Sequence, residues 1–361
     1  MDLQSLRWSR SLIAIGLISF IAVSATSCTM LTKNPFERKN EQAMPQSSPD
    51  SLPSSNFSAK TLIQAGDRFY KERKLVEAQN AYQEASEIDP TNSEAFVKLG
   101  HILLVQGKTD AAIAVYQKAI ELNPKDIESY NMLSSLLRIK GKRSEAIAVL
   151  KKAIQTDSNS VESYRLLGLL LAYEDNLNEA SNACNQAIQL DPNYSLGYNC
   201  LGIILTSQGK LDEAISTHQT SIKLFSEKYR NSNLDGVGDG LGLAIRYYAL
   251  SLALTAQGKP REAVNTYNVA LKLFEPDLLR ILKFSPNSPK ASVKYFYRQV
   301  PLSPKYFSTL HKQLGIALKD NGQPEEAIFV LQLAKELFAE QNNQEQVAVI
   351  NNLLKEIEST Q

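Results

Sequence analysis

The side chains that could do chemistry in this chain are few and scattered. Three histidines, His101, His218 and His311, stand far apart in the sequence. With the three cysteines, Cys28, Cys184 and Cys200, they show no spacing suited to a metal cage. Carboxylates recur at Glu77, Glu145, Glu179 and Glu213, each one position before an alanine. That regularity marks a repeated helix surface, not an acid–base pair. An enzyme needs a nucleophile beside a base, paired carboxylates or a bound metal. No such set is visible, so the expectation is a non-enzyme without cofactor or metal.

Cys28 has a context of its own. Arg7 and Arg10 precede the apolar run Leu12–Val23, and Ser24, Ala25, Thr26 and Ser27 then lead to Cys28. A positive start, a short apolar stretch and a small-residue end make a secretory signal. The run is shorter than the roughly 20 residues of a membrane-spanning helix. The sequence ATSC resembles the lipobox of bacterial lipoproteins, with Ala25 where that family usually has Leu. The resemblance implies lipidation at Cys28. An uncleaved signal anchor and plain secretion are the alternatives, and each places the rest of the chain outside the cytoplasm. Residues 29–57 are rich in serine and proline and read as a disordered tether. As a coil such a tether reaches roughly 30 Å.

The chain has 361 residues and a net charge of +1, so no global field draws it to nucleic acid or anionic membranes. One segment departs from that balance. Residues 278–307 carry Arg280, Lys283, Lys290, Lys294, Arg298 and Lys305, with no acidic residue. Aromatic residues such as Tyr295, Phe296 and Tyr297 are interleaved. This segment reads either as a loop packed on its neighbours or as a contact surface. An exported chain does not meet nucleic acid. Anionic lipid, envelope glycan or an acidic protein would be the matching partners.

The elements behind these residues repeat. Ala78, Ala112, Ala146, Ala180 and Ala214 follow one another at steps of 34. Gly107, Gly141 and Gly209 keep the register, with Asp175 in the fourth slot and Arg73 in the first. Leu99, Leu133, Leu167 and Leu201 form another column, and Ala85, Ala119, Ala153 and Ala187 a further one. Within each period, apolar residues recur at three- and four-residue steps, giving two amphipathic helices. A single hairpin cannot bury both its faces, so hairpins must stack.

These columns resemble the tetratricopeptide repeat (TPR) family. The resemblance runs through 59–228 and returns at 244–277 and 308–341. It implies an all-α, right-handed superhelix of about seven helix pairs, with a solenoid over 58–342. Residues 343–361 are expected to form a capping helix, and 229–243 and 278–307 to be insertions. The first insertion has the outline of a calcium loop, but Gly242 stands where a carboxylate ligand belongs, and a glycine-rich connector is the better reading. The family's register puts a concave groove along the first helix of each pair. Its candidate lining residues here are Asn131, Arg138, Arg165, Tyr173 and Asn199; Asn131, Arg165 and Asn199 fall at the same position of three successive units, a row that could hydrogen-bond an extended peptide. The alternative is a wetted helix face. The Lys/Asn clamp of TPR domains that take acidic chaperone tails is missing, with Val97 and His101 at the helix-A positions of the second unit. Phe96, Tyr130, Tyr164, Tyr198 and Tyr247 are expected in the helix–helix core. Cys184 and Cys200 are expected as two buried thiols, a bridge being the alternative. The implied function is a membrane-tethered adaptor that binds a protein or peptide partner and assembles an envelope complex. An envelope-surface binder using 278–307 is the competing reading. Oligomeric state is open.

Overall fold

The computed structural model describes residues 58–231, 239–284 and 304–359. These residues form fifteen α-helices and no strand. They run in order as α1 (Ala59–Lys71), α2 (Leu75–Ile88), α3 (Ser93–Val105), α4 (Thr109–Leu122), α5 (Ile127–Ile139), α6 (Arg143–Thr156), α7 (Val161–Tyr173) and α8 (Leu177–Leu190). Then come α9 (Ser195–Ser207), α10 (Leu211–Asn231), α11 (Asp239–Ala256), α12 (Pro260–Phe284), α13 (Pro304–Asp320), α14 (Pro324–Glu340) and α15 (Gln344–Ser359). Odd-numbered helices up to α13 are the first (A) helix of a hairpin, and their even partners are the second (B). The expected all-α fold of stacked hairpins is what the chain adopts. The described residues fall into two compact units, the first ending at Ser163 and the second beginning at Tyr164.

Local chemistry explains the hairpins. After α3, Gly107 takes a φ of 73°, and its N–H donates to Leu104 O while Lys108 N–H donates to Leu103 O. These paired bonds close the helix end and turn the chain into α4. Asp110, Glu77, Glu145 and Glu179 lie in first turns of B helices, where the helix dipole favours a negative charge. Arg73 and Asp175 adopt the same left-handed conformation without being glycine, at φ 63° and 62°. α1 and α3 are capped by side chains, Ser58 and Asn92, accepting from Thr61 N–H and Ala95 N–H.

The columns of small residues are the seams. Ala78, Ala112, Ala146, Ala180, Ala214, Ala263 and Ala327 are all wholly buried. Each hairpin also has a slot where a small residue of helix A faces a larger one of helix B sixteen positions on. Gly66 lies under Tyr82, Gly100 under Tyr116, Gly168 under Cys184, Gly202 under His218 and Gly315 under Leu331. A Cβ on Gly66 would stand 2.4 Å from the Tyr82 ring. This B-helix column, with Tyr267 at the same position of α12, holds the buried rings. The A-helix aromatic column does not. Only Tyr130 is buried, while Phe96, Tyr164, Tyr198 and Tyr247 are half-buried. The expected A-column is thus wholly buried only at Tyr130; Tyr247, half-buried, still packs against the second unit's core, where the A-helix ring Tyr248 and the B-helix ring Tyr267 are both buried.

In the second unit a continuous apolar core runs from Ile203 through Tyr248, Tyr267, Leu314 and Leu331 to Ile350 and Ile357. α15 closes it as the expected cap, burying Ile350, Leu354 and Ile357. The helices around the insertions are longer than expected. α10 runs to Asn231, α11 starts at Asp239, and α12 continues to Phe284. In α12 the apolar pattern of LLRILKF extends the helix. α13 begins on Pro304, a residue suited to a helix's first position.

Candidate functional site

The A helices of the first unit are tied to one another by polar side chains. Lys98 Nζ of α3 donates to Asp67 Oδ1 of α1 at 2.8 Å, and the Tyr82 hydroxyl donates to the same oxygen at 2.7 Å. Burial opposes the Asp67 charge, but these two bonds outweigh it and hold the carboxyl below its usual range. One repeat on, His101 Nε2 of α3 lies 3.4 Å from Glu128 Oε1 of α5. The His101 hydrogen bond lowers the Glu128 pKa against an opposing desolvation. In the next step Ser163 Oγ of α7 donates to Asn131 Oδ1 of α5 at 2.7 Å. A run of donor–acceptor pairs therefore links each A helix to the next along this face. Asn131, a predicted site residue, belongs to it and is half-buried. Arg138, about two helical turns further along the same face of α5, is also half-buried.

In the second unit the predicted residues are more enclosed than a wetted groove would leave them. Arg165 is 8% exposed, and its Nε donates to the Tyr194 hydroxyl at 3.1 Å. Asn199 is also 8% exposed, with its Oδ1 sealed from solvent and without a hydrogen-bond partner. Tyr173, at the end of α7, is half-buried. Close to the start of α9 sits a residue the sequence reading missed. Arg246 is buried; its Nη2 donates to Ser195 Oγ at 3.0 Å, its Nε to Ser221 Oγ at 3.1 Å, and its guanidinium stacks 4.0 Å from the Phe225 ring. Periodicity could not reveal Asp67, Lys98 or Arg246, which recur in no column; Glu128 repeats with Glu94 and Glu162, and Ser163 with Ser129, and those columns were the signal that could have found them.

Cys28, Lys290, Lys294 and Arg298 lie outside the described residues. Arg280 and Lys283 fall within α12, but their side chains also lie outside the description. Among the described residues no three His, Cys, Asp or Glu side chains converge as a metal site. No described helix is long and apolar enough to cross a membrane.

The two thiols expected near the α8–α9 junction are joined. Cys184 and Cys200 form a disulfide, with their Cα atoms 6.0 Å apart. Stacking of successive hairpins brings the two positions within bridging range, a distance that sequence spacing alone does not give.

Sequence models of the tetratricopeptide repeat match residues 69–137, 127–160, 161–194 and 195–275, an unbroken stretch over more than half the chain. The chain belongs to the tetratricopeptide repeat family. A TPR protein from Parabacteroides merdae ATCC 43184 is similar in structure, with a TM-score of 0.53 and 17% identity, covering 81% of this chain and 98% of that one. A chain of the APC/C hetero-tetramer Cut9–Hcn1 is similar with a TM-score of 0.53 and 16% identity, over 83% of this chain and 48% of that one. The MamA crystal structure is 25% identical over 46% of this chain and 96% of its own, with a TM-score of 0.42. No curated protein matches the sequence. The first two likenesses speak for the TPR fold over most of the described chain.

Proposed function

We propose that this TPR chain is a non-catalytic adaptor that holds a protein or peptide partner along its A helices. The observation that carries this reading is the run of inter-helix pairs Asp67–Lys98, Glu128–His101 and Asn131–Ser163. Such pairs fix successive A helices against one another and leave a face with alternating donors and acceptors. A preorganised face of this kind costs little ordering on binding. The adaptor is exported and tethered to a membrane through Cys28 or an uncleaved signal, and it serves to assemble an envelope complex. The signal-like Leu12–Val23 run supports export. So does the Cys184–Cys200 bridge, since disulfides persist in oxidising compartments.

The test is crosslinking of the full chain in intact cells, followed by partner identification and pull-down with variants. Arg138→Glu should weaken capture at temperatures where the variant is still fully folded. Replacing Lys290, Lys294 and Arg298 together by glutamine should leave capture intact. The opposite pattern, with capture lost on that replacement and weakening steeply with salt, would transfer the function to the basic segment and an anionic lipid or glycan.

A further inference from the structure

We propose that the Cys184–Cys200 bridge is a redox-governed joint: oxidised, it closes the α8–α9 junction; reduced, that junction opens. The side chain that fills the A–B slot differs among the hairpins. Over the small residue of helix A, α2 places Tyr82, α4 places Tyr116 and α12 places Tyr267, while α14 uses Leu331. In α8 the same position is Cys184, a much smaller side chain. The missing volume is made up from the next hairpin. A Cβ on Gly168 would stand 2.5 Å from Cys184 Sγ and 3.2 Å from Cys200 Sγ, so both sulfurs sit over that glycine. Two bonded sulfurs thus do here what one ring does elsewhere, and both cysteines are sealed from solvent at 0% and 1% exposure.

Closeness of that kind depends on the bond. Non-bonded sulfurs stand roughly 1.5 Å or more further apart than the about 2 Å of a disulfide. The sulfurs cannot part toward α7, because they already occupy the space that a Cβ on Gly168 would take. Reduction by a dithiol supplies two electrons and two protons. The S–S bond breaks, Cys184 and Cys200 each gain a hydrogen, and the reductant closes to its own disulfide. The extra separation must then be taken up by α9 moving from α8. In a repeat array each hairpin is held by its neighbours, so this junction is where the second unit would part. The inference is independent of the partner and the compartment proposed above.

Hydrogen exchange on the full chain tests it. One sample is unfolded in urea with dithiothreitol and refolded in dithiothreitol; the control passes through the same urea cycle without reductant. Amides of α8 and α9 should exchange at least about tenfold faster in the reduced sample, with α1–α4 unchanged. Equal exchange in the two samples overturns the proposal. So do two free thiols titrating in the unreduced, denatured chain. If the reduced chain does not refold while the control does, dithiothreitol is added to the native protein instead. Thiols released in step with local α8–α9 exchange then support the joint, and thiols released only at the rate of global unfolding overturn it.

Discussion

Gly100 and Tyr116 share one volume: a Cβ on Gly100 would stand 2.8 Å from Cζ of the Tyr116 ring. The ring is wholly buried and its hydroxyl has no hydrogen-bond partner. Gly100→Ala should therefore destabilise the first unit by about 1–3 kcal/mol through overpacking. Tyr116→Leu in the same chain should recover part of that loss, since Leu150 fills the equivalent slot over Ser134. Urea unfolding of the two single variants and the double variant reads the coupling. Additive losses would mean that the two residues do not compete for space.

His218 and His311 set an acid limit on the second unit. Both are fully enclosed, and burial lowers their pKa to about 3 and about 4, from an ordinary value of 6.5. His311 remains neutral with Nδ1 against the Phe307 carbonyl and Nε2 against the Tyr248 hydroxyl. The unfolded chain takes up these protons below about pH 6.5, and the folded chain only near pH 4 and pH 3. Stability from this source is complete above pH 6.5 and falls as the pH drops below it, by about 2 kcal/mol per histidine at pH 5. Urea midpoints at pH 7.5 and pH 5 measure the loss. His218→Tyr, which copies Tyr82 and Tyr116, should remove about half of it. An unchanged pH dependence in that variant would dismiss His218 as the cause.

Arg73 and Asp175 hold left-handed turns at φ 63° and 62°, where the neighbouring hairpins use glycine. That conformation costs a non-glycine residue roughly 1–2 kcal/mol. Arg73→Gly and Asp175→Gly should each raise stability by up to about 1 kcal/mol, the gain being trimmed by the extra freedom of glycine in the unfolded chain. A thermal melt that shifts downward for both would refute the strain.

Ala180 is wholly buried on α8 beside the Gly168 slot. Ala180→Arg inserts both volume and an unpaired charge, at a cost of several kcal/mol, roughly 1–3 from overpacking alone. The second unit should lose its cooperative melt. A melting curve like that of the unaltered chain would show that the 34-residue register is misplaced.

Cys28→Ser should abolish fatty-acid labelling and release the protein from the membrane fraction. Labelling that persists would discard lipidation at Cys28. An unaltered chain that takes no label would point to the uncleaved signal anchor if it stays in the membrane fraction and to secretion if it does not.

The sequence by itself determined the hairpins. Its columns at Ala78–Ala214 and Gly107–Gly209 put the seams and turns of the first five hairpins where the structure has them, because a short-range pattern of small and apolar residues dictates which face of a helix can be buried. It also determined the closing helix, through Val347, Ile350, Leu354 and Ile357 on one side. What lay across a seam was left to tertiary packing. Whether Phe96 or Tyr116 fills the core depends on which helix reaches over the crossing. Whether Cys184 meets Cys200 depends on how α8 and α9 stack. The pair Asp67–Lys98 joins residues 31 positions apart with no recurrence to announce it, and although Asn131 and Ser163 each stand in a repeated position, nothing in the period pairs them across 32 residues. Such contacts are set by distances between helices, and a one-dimensional pattern holds the period of a helix but not its separation from the next.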